Sequence, residues 1–276
     1  MESRGLERNQ ASGTRQGDRR ARPEKRAWSP SWLVNNFVLR LPAPPRSEEA
    51  RGRHRNEETA AYCPRPCSTQ KIRLRYQTVE FADLDIHVRG LRDSQECGDH
   101  DASYDEPLLS SSNWALFGVL WESGKVLAQL MCDFDIEGRR ILEVGCGLGL
   151  ASLVLNSRLA DVSATDYHPE AQNFLDANVA LNGGPTIPFA RANWLDEDCG
   201  LGKFDLVIGA DLLYERGQAA LLSRFIDAHA NDACKVIIVD PGRGQLGRLG
   251  TKMKQLGYTD RPHTNDDSIA GGPRVQ

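Results

Sequence analysis

The fold is decided by the stretch Arg140-Ile-Leu-Glu-Val-Gly-Cys-Gly-Leu-Gly149. Residues 140–144 are predicted to form the first strand of a parallel sheet. The glycines that follow let the chain turn sharply, and a helix is predicted over 148–159. Because a strand, a glycine-rich turn and a helix in this order lie at the carboxyl end of an α/β sheet, we expect a ligand to bind here.

The spacing of these glycines, and the acid before them, indicate which ligand is expected. A dinucleotide site has the pattern G-x-G-x-x-G and places the pyrophosphate at the helix amino terminus. Here the pattern is G-x-G-x-G, and Glu143 stands two residues before Gly145. A carboxylate in that place disfavours a pyrophosphate and suits the positively charged amino group of a methionine moiety. A tight turn with no ligand is the alternative.

The sequence around this stretch alternates between strands and helices. Further strands are predicted over 161–165, 187–192, 204–209 and 235–239, and helices over 169–181, 217–229 and 245–256. This order requires a mainly parallel sheet with right-handed crossovers. Upstream, the alternation of apolar and polar residues over 78–88 predicts a hairpin, and residues 126–131 fit the buried face of a helix.

Polar side chains follow two of the predicted strands. Asp166 comes about twenty residues after the glycine turn, the interval at which Rossmann-type sites place a carboxylate against ribose hydroxyls. Its alternative role is the N-cap of the next helix. Asn193 and Trp194 follow the third strand, where an amide suits the edge of an adenine ring and an indole suits its face. The alternative for Trp194 is a position in the core.

A third polar pair follows the fourth strand, in Ala210-Asp-Leu-Leu-Tyr214. In a doubly wound sheet this loop lies across from the glycine turn, where the reactive end of a ligand is expected. Asp211 and Tyr214 are therefore candidates for holding an amine through its N–H groups. The alternative is a helix cap and a packed tyrosine.

Charge divides the chain into two parts. Its 276 residues carry a net charge of −4, but residues 1–70 alone carry about +6, so the remainder is acidic. We predict a disordered basic leader over 1–70 and one folded domain over 71–276. The acidic domain argues against a nucleic-acid partner, which normally meets a basic face.

Cysteines and hydropathy point to a reducing compartment. The seven cysteines are odd in number, which fits reduced thiols, and the Cys63-x3-Cys67 pair lacks a second pair at zinc-finger spacing. We expect no metal site. No apolar run reaches the ~18–20 residues of a membrane span, so the predicted location is the cytoplasm.

These motifs resemble the class I S-adenosylmethionine-dependent methyltransferases, a Rossmann-like α/β fold with a seven-strand, mostly parallel sheet. Within that class the chain is similar to methyltransferase family 16, a lysine methyltransferase group, and to bacterial predicted nicotinamide N-methyltransferases. The resemblance covers about residues 71–260. The matching residues are Leu120-Trp-Glu-Ser123, Leu142-Glu-Val-Gly-Cys-Gly-Leu-Gly149, Ala164-Thr-Asp166, Asn193-Trp194 and Ala210-Asp-Leu-Leu-Tyr214.

The resemblance implies a cofactor, S-adenosyl-L-methionine, and a set of residues around it. The residues expected to bind it are Trp121, Glu143, Gly145, Cys146, Gly147, Gly149, Asp166, Asn193, Trp194 and Ala210. Asp211 and Tyr214 match the group's D-x-x-Y/F motif at the site of methyl transfer. The chain departs from the family in its long leader and near residues 273–276, where we expect a short or missing seventh strand.

The expected function is N-methylation of a lysine side chain in a protein substrate. A small amine or pyridine acceptor, such as nicotinamide, is the alternative within the same chemistry. A nicotinamide-dependent oxidoreductase is disfavoured by the glycine spacing and by the Asp211-x-x-Tyr214 motif. A catalytically inactive interaction protein with the same fold is a further alternative, and the oligomeric state stays open.

Overall fold

The computed structural model describes residues 33–39, 73–92, 116–195, 199–215, 217–242, 244–262 and 274–275. The strands in this part of the chain are β1 (Leu33–Leu39), β2 (Leu74–Glu80), β3 (Asp85–Leu91), β4 (Arg140–Val144), β5 (Asp161–Asp166), β6 (Phe189–Arg191), β7 (Phe204–Ala210), β8 (Ala230–Asp240), β9 (Tyr258–Pro262) and β10 (Arg274–Val275). The helices are α1 (Glu122–Asp133), α2 (Leu150–Ser157), α3 (Ala171–Asn182), α4 (Gln218–His229) and α5 (Leu246–Gln255).

The strands form one large sheet and one small one. The large sheet has the order β6-β5-β4-β7-β8-β1-β9, and its first five strands run parallel. Helices alternate with these strands, which confirms the predicted α/β fold with a mostly parallel sheet. The predicted hairpin is also confirmed: β2 and β3 pair antiparallel and form the small sheet with β10.

The sixth strand of the large sheet comes from an unexpected part of the chain. β1 lies antiparallel to both β8 and β9, with Leu33 opposite Asp240. The prediction that residues 1–70 are disordered is therefore wrong for residues 33–39, because the edge of β8 takes up this strand. The rest of 1–70 lies outside the described residues.

The end of the chain is also placed differently from the prediction. We expected a short or missing seventh strand of the large sheet near residues 273–276, and Arg274 and Val275 pair instead with Glu80 and Val79 of β2. The position between β8 and β9 is already filled by β1. The large sheet thus reaches seven strands by using an amino-terminal strand.

Two apolar clusters cover the two faces of the large sheet. Consecutive residues of β4 belong to opposite clusters: Ile141 packs with α1, α2 and α3, and Leu142 packs with α4 and α5. This alternation follows from the two-residue period of a strand. A strand buried on both faces needs apolar residues on both, and Ile141, Leu142 and Val144 of β4 supply them.

The small sheet is held against α3 by asparagine side chains. Asn182 accepts a hydrogen bond from His87 N at 2.8 Å and donates one to His87 O at 2.7 Å. Asn178, which is fully buried, accepts from Arg89 N at 2.7 Å and donates to Leu148 O at 3.1 Å. These bonds pair backbone groups at the β3 edge, which an edge strand otherwise leaves unpaired. Asn178 thereby joins the hairpin to the glycine turn.

We expect Asn178→Leu to destabilise the protein by about 2–4 kcal/mol, because it leaves a buried N–H and a buried carbonyl without partners. The free energy of unfolding, from urea titration, measures this. Asn182→Ala is the matched control and should cost less, because its site is more exposed and water can replace the amide. Equal losses in the two variants would contradict this account.

Candidate functional site

A cavity opens at the carboxyl edge of the parallel strands. The loops after β4, β5, β6 and β7 meet there, and the segment 116–121 forms the opposite wall. The predicted residues that line it are Trp121, Glu143, Gly145, Cys146, Gly147, Asp166, Asn193, Trp194, Ala210, Asp211 and Tyr214. Gly149 is not among the lining residues. One cavity therefore brings together eleven of the twelve predicted site residues.

The three glycines of the turn have different tasks. All have positive φ angles, 61° at Gly145, 55° at Gly147 and 76° at Gly149, which L side chains rarely adopt. A Cβ atom at Gly145 would lie 2.4 Å from Leu212 Cδ2, and one at Gly149 would lie 2.4 Å from Leu175 Cδ1. A Cβ at Gly147 would meet nothing within 4 Å. Gly145 and Gly149 therefore allow close packing, and Gly147 leaves open space beside the cavity.

Glu143 is a buried acid at the end of β4. Ser152 donates two hydrogen bonds to its Oε2, one from the backbone N at 2.8 Å and one from Oγ. Burial raises the pKa of Glu143 to about 7, against the lowering effect of these bonds, and the charge of Asp166 adds to the rise. A cation placed beside Glu143 would restore its ionised form.

Asp166 is held between the glycine turn and its own loop. Gly147 N donates to Oδ2 and His168 N donates to Oδ1, both at 2.8 Å. Burial raises the pKa of Asp166 despite these two bonds. The alternative role as a helix cap does not hold, because α3 begins at Ala171 with Glu170 as its N-cap residue. A carboxylate oxygen can accept more than one hydrogen bond, so hydroxyl groups of a ligand can also bind there.

Asn193 and Trp194 lie at the same edge, after β6. Asn193 Oδ1 accepts a hydrogen bond from Leu195 N at 2.9 Å, so the amide shapes its own turn. The partly buried indole of Trp194 packs against the apolar cluster of α4 and α5 while it lines the cavity. This tryptophan therefore packs against the core and lines the cavity at the same time. Cys146 lines the cavity too, and burial raises the pKa of its thiol, which stays protonated.

Sequence reasoning missed an aromatic wall. Phe117 stacks on His168, with ring centroids 3.8 Å apart and an angle of 4° between the planes, and both residues line the cavity. Phe117 also meets Phe174 edge-on at 5.4 Å. Trp121 Nε1 donates to Leu116 O at 3.1 Å, which fixes this wall from its other end. The position of His168, two residues after Asp166, was the available signal.

The loop after β7 carries the predicted transfer residues. Asp211 is buried and has a φ of 56°, a left-handed conformation that is uncommon outside glycine. Its N–H donates to Val239 O at 2.9 Å, and Ser123 Oγ donates to its Oδ2 at 3.1 Å. The N-cap residue of α4 is Gly217, so Asp211 does not cap that helix.

The charged side chains that line the cavity are all acidic. Three carboxylates line it, Glu143, Asp166 and Asp211, and no lysine or arginine does among the residues that the structure describes. Such a site favours a cation and disfavours a pyrophosphate. Within the same residues, no group of three metal-ligating side chains comes together, and no helix has the length and apolar character to span a bilayer.

Comparisons with known proteins find methyltransferases. Residues 110–245 match the family model described as lysine methyltransferase. The electron transfer flavoprotein beta subunit lysine methyltransferase of Xenopus laevis is 31% identical over 140 residues, covering 48% of this chain and 54% of that protein. The protein N-lysine methyltransferase METTL21A of Danio rerio is 34% identical over 116 residues, covering 38% and 52%.

A third relative is named for a different acceptor, histidine. The histidine protein methyltransferase 1 homolog of Dictyostelium discoideum is 29% identical over 124 residues, covering 42% of this chain and 40% of that protein. The chain spans about half the length of the first two relatives. The similarity therefore concerns the part of the chain that contains the cavity.

The pKa of Glu143 makes a prediction about stability. A pKa raised from 4.5 to about 7 on folding means that the folded state binds the proton more tightly. This contribution is fully present below pH 4.5 and is lost as the pH rises through about 7, an effect of up to ~3 kcal/mol. Glu143→Gln keeps an oxygen acceptor for Ser152 and carries no charge. We therefore expect the ligand-free variant to be more stable than the wild type at pH 8, and similar at pH 4.5.

The difference in melting temperature between the two proteins is measured at each pH between 4.5 and 8. Other titrating groups contribute equally to both proteins and cancel in this difference. Glu137→Gln is the control, because Glu137 lies exposed in a turn. If the wild type and the Glu143→Gln variant melt at the same temperature at pH 8, burial of the Glu143 carboxylate does not lower the stability of the folded protein.

Proposed function

Because residues 110–245 match the family model described as lysine methyltransferase, we propose that the protein binds S-adenosylmethionine and methylates a lysine side chain of a protein substrate. The observation that carries the proposal is the cavity itself. Three carboxylates line it, and no lysine or arginine lines it among the residues that the structure describes. It opens beside Gly147, where an added Cβ would meet no atom within 4 Å. This combination suits a ligand with positive charge and a ribose.

The residues present fit such a cofactor. Glu143 would bind its ammonium group, which would also satisfy the buried carboxylate. Asp166 would accept hydrogen bonds from the ribose hydroxyls, in addition to those from Gly147 and His168. Asn193 and Trp194 would lie beside the adenine ring. When bound, the cofactor supplies a methyl group already activated by a positively charged sulfur.

The protein's part in transfer would be to position the acceptor and exclude water. Asp211 and Tyr214 would accept and donate hydrogen bonds at the acceptor nitrogen, which aligns its lone pair. Apolar side chains line the same cavity, among them Leu116, Leu120 and Leu221. An apolar lining favours the neutral amine, which is the nucleophilic form. No strong protein nucleophile is required.

The preference for lysine rests on the family and on the named substrates of relatives. A histidine side chain, or a small amine or pyridine, would present a nitrogen to the same two residues. The acceptor is therefore identified by experiment: tritiated S-adenosylmethionine, the purified protein and a lysate, followed by separation by mass. We expect label in protein and, after acid hydrolysis, in methyl-lysine. Label in methyl-histidine or in small molecules would show that the acceptor is not lysine. No label in any fraction would contradict the proposed activity.

We expect Asp211→Asn to lower kcat at least about 100-fold, because it removes a preorganised charge at the transfer site. The affinity for S-adenosylhomocysteine, measured by calorimetry, should change less than about threefold. Asp232→Asn is the control, since Asp232 lies exposed near the amino end of β8, away from the cavity. A matching loss of affinity would place Asp211 in the cofactor site instead.

A second variant separates binding from turnover. Saturating S-adenosylhomocysteine should raise the melting temperature of the wild type, because a ligand that binds only the folded state stabilises it by mass action. Asp166→Asn should reduce this increase strongly, since one charged acceptor is replaced by an amide. The same increase in Asp166→Asn and wild type would exclude Asp166 from ribose binding.

A further inference from the structure

We propose that two side chains that are not among the predicted site residues, Ser123 and Gln218, are positioning residues for the acceptor loop, which we define as residues 211–215. The inference rests on the proposed function, because it gives these residues a part in methyl transfer. Each contacts the loop from a different helix: Ser123 from α1 and Gln218 from α4. Ser123 is not among the residues that line the cavity, whereas Gln218 lines it and also bonds to the loop backbone.

The geometry at Asp211 requires support. Its left-handed backbone is rarely adopted by an L side chain, so neighbouring groups must maintain it. One such group is Val239 O, which accepts from Asp211 N at 2.9 Å. The other is Ser123, which is 1% exposed and donates its hydroxyl to Asp211 Oδ2 at 3.1 Å. The serine therefore sets the rotation of the carboxylate that lines the cavity.

The second residue of the loop connects it to the glycine turn. Leu212 fills the space above Gly145 and beside Gly209, where added Cβ atoms would come within 2.4 and 2.6 Å of its side chain. The loop is thus packed directly against the turn that is expected to hold the cofactor. A displacement at Asp211 would change the distance between acceptor and cofactor, on which transfer depends steeply.

The far end of the loop is fixed by Gln218, the first residue of α4. Its Oε1 accepts hydrogen bonds from Tyr214 N at 2.6 Å and from Glu215 N at 2.8 Å. One amide oxygen therefore orders two consecutive peptide groups. Tyr214 is placed by its backbone, and the tyrosine side chain follows from that placement.

Matched pairs of variants separate positioning from packing. Ser123→Thr and Ser123→Val add the same bulk, but only threonine keeps the hydroxyl. Gln218→Glu and Gln218→Met have similar length, but only glutamate keeps an oxygen acceptor, and a negative charge is favourable at the start of a helix. Ser157→Ala removes an exposed hydroxyl at the end of α2 and serves as the control.

Within each pair, we expect kcat to be about 10- to 100-fold lower in the valine and methionine variants, in line with the loss of a hydrogen bond to a charged or backbone group. The affinity for S-adenosylhomocysteine should be similar within each pair. Equal kcat values for threonine and valine, and for glutamate and methionine, would overturn the proposal.

Hydrogen–deuterium exchange gives a readout that does not depend on activity. With S-adenosylhomocysteine bound, the peptide containing residues 211–215 should exchange faster in Ser123→Val and Gln218→Met than in Ser123→Thr and Gln218→Glu. Unchanged exchange would overturn the positioning role even if kcat fell. If the wild type transfers no methyl group, the proposed function fails, and the exchange rates still decide whether these residues hold the loop.

Discussion

The site depends on a carboxylate that the fold keeps away from water. Glu143 lies at the end of a central strand, and Ser152 compensates for its burial with two hydrogen bonds. The same strand end leads into the glycine turn, where Gly147 N donates a hydrogen bond to a second, partly buried acid, Asp166. Two negative groups are thus concentrated in a region of low dielectric, where a cation binds more strongly than at the surface. The buried Glu143 carboxylate lowers the stability of the ligand-free protein, and it would strengthen the binding of a cation.

Packing connects the glycine turn to the loop of residues 211–215. Leu212 lies against Gly145, and α1 contributes Ser123 to Asp211, so the two halves of the cavity share contacts. On the opposite side, Phe117 stacks on the ring of His168 beside Asp166. The wall formed by residues 116–121 is in turn bonded to the hairpin, where Leu91 N donates to Gly118 O at 2.7 Å. Segments distant in sequence therefore support one cavity.

Much of the fold and of the site could be predicted because it depends on local pattern. Apolar strands followed by Gly145, Asp166 and Asp211 bring these residues to one edge, since parallel strands end there together. Contacts between distant segments carried no such signal. Phe117 and His168 are about fifty residues apart, and the roles of Ser123 and Gln218 appear only when helices pack beside the loop. Gly149 belongs to the glycine motif, but its position is required by Leu175 of α3.

The placement of β1 has a consequence for how the chain folds. This strand joins β8 and β9, from which it is separated by roughly two hundred residues, so its pairing closes a very long loop. Such closures are entropically slow and come late. During synthesis, residues 33–39 leave the ribosome long before residues 230–262 exist to receive them. The five parallel strands and their helices would assemble first, and the edge of β8 would stay exposed until β1 pairs with it. That interval is when the nascent chain is most open to wrong pairing.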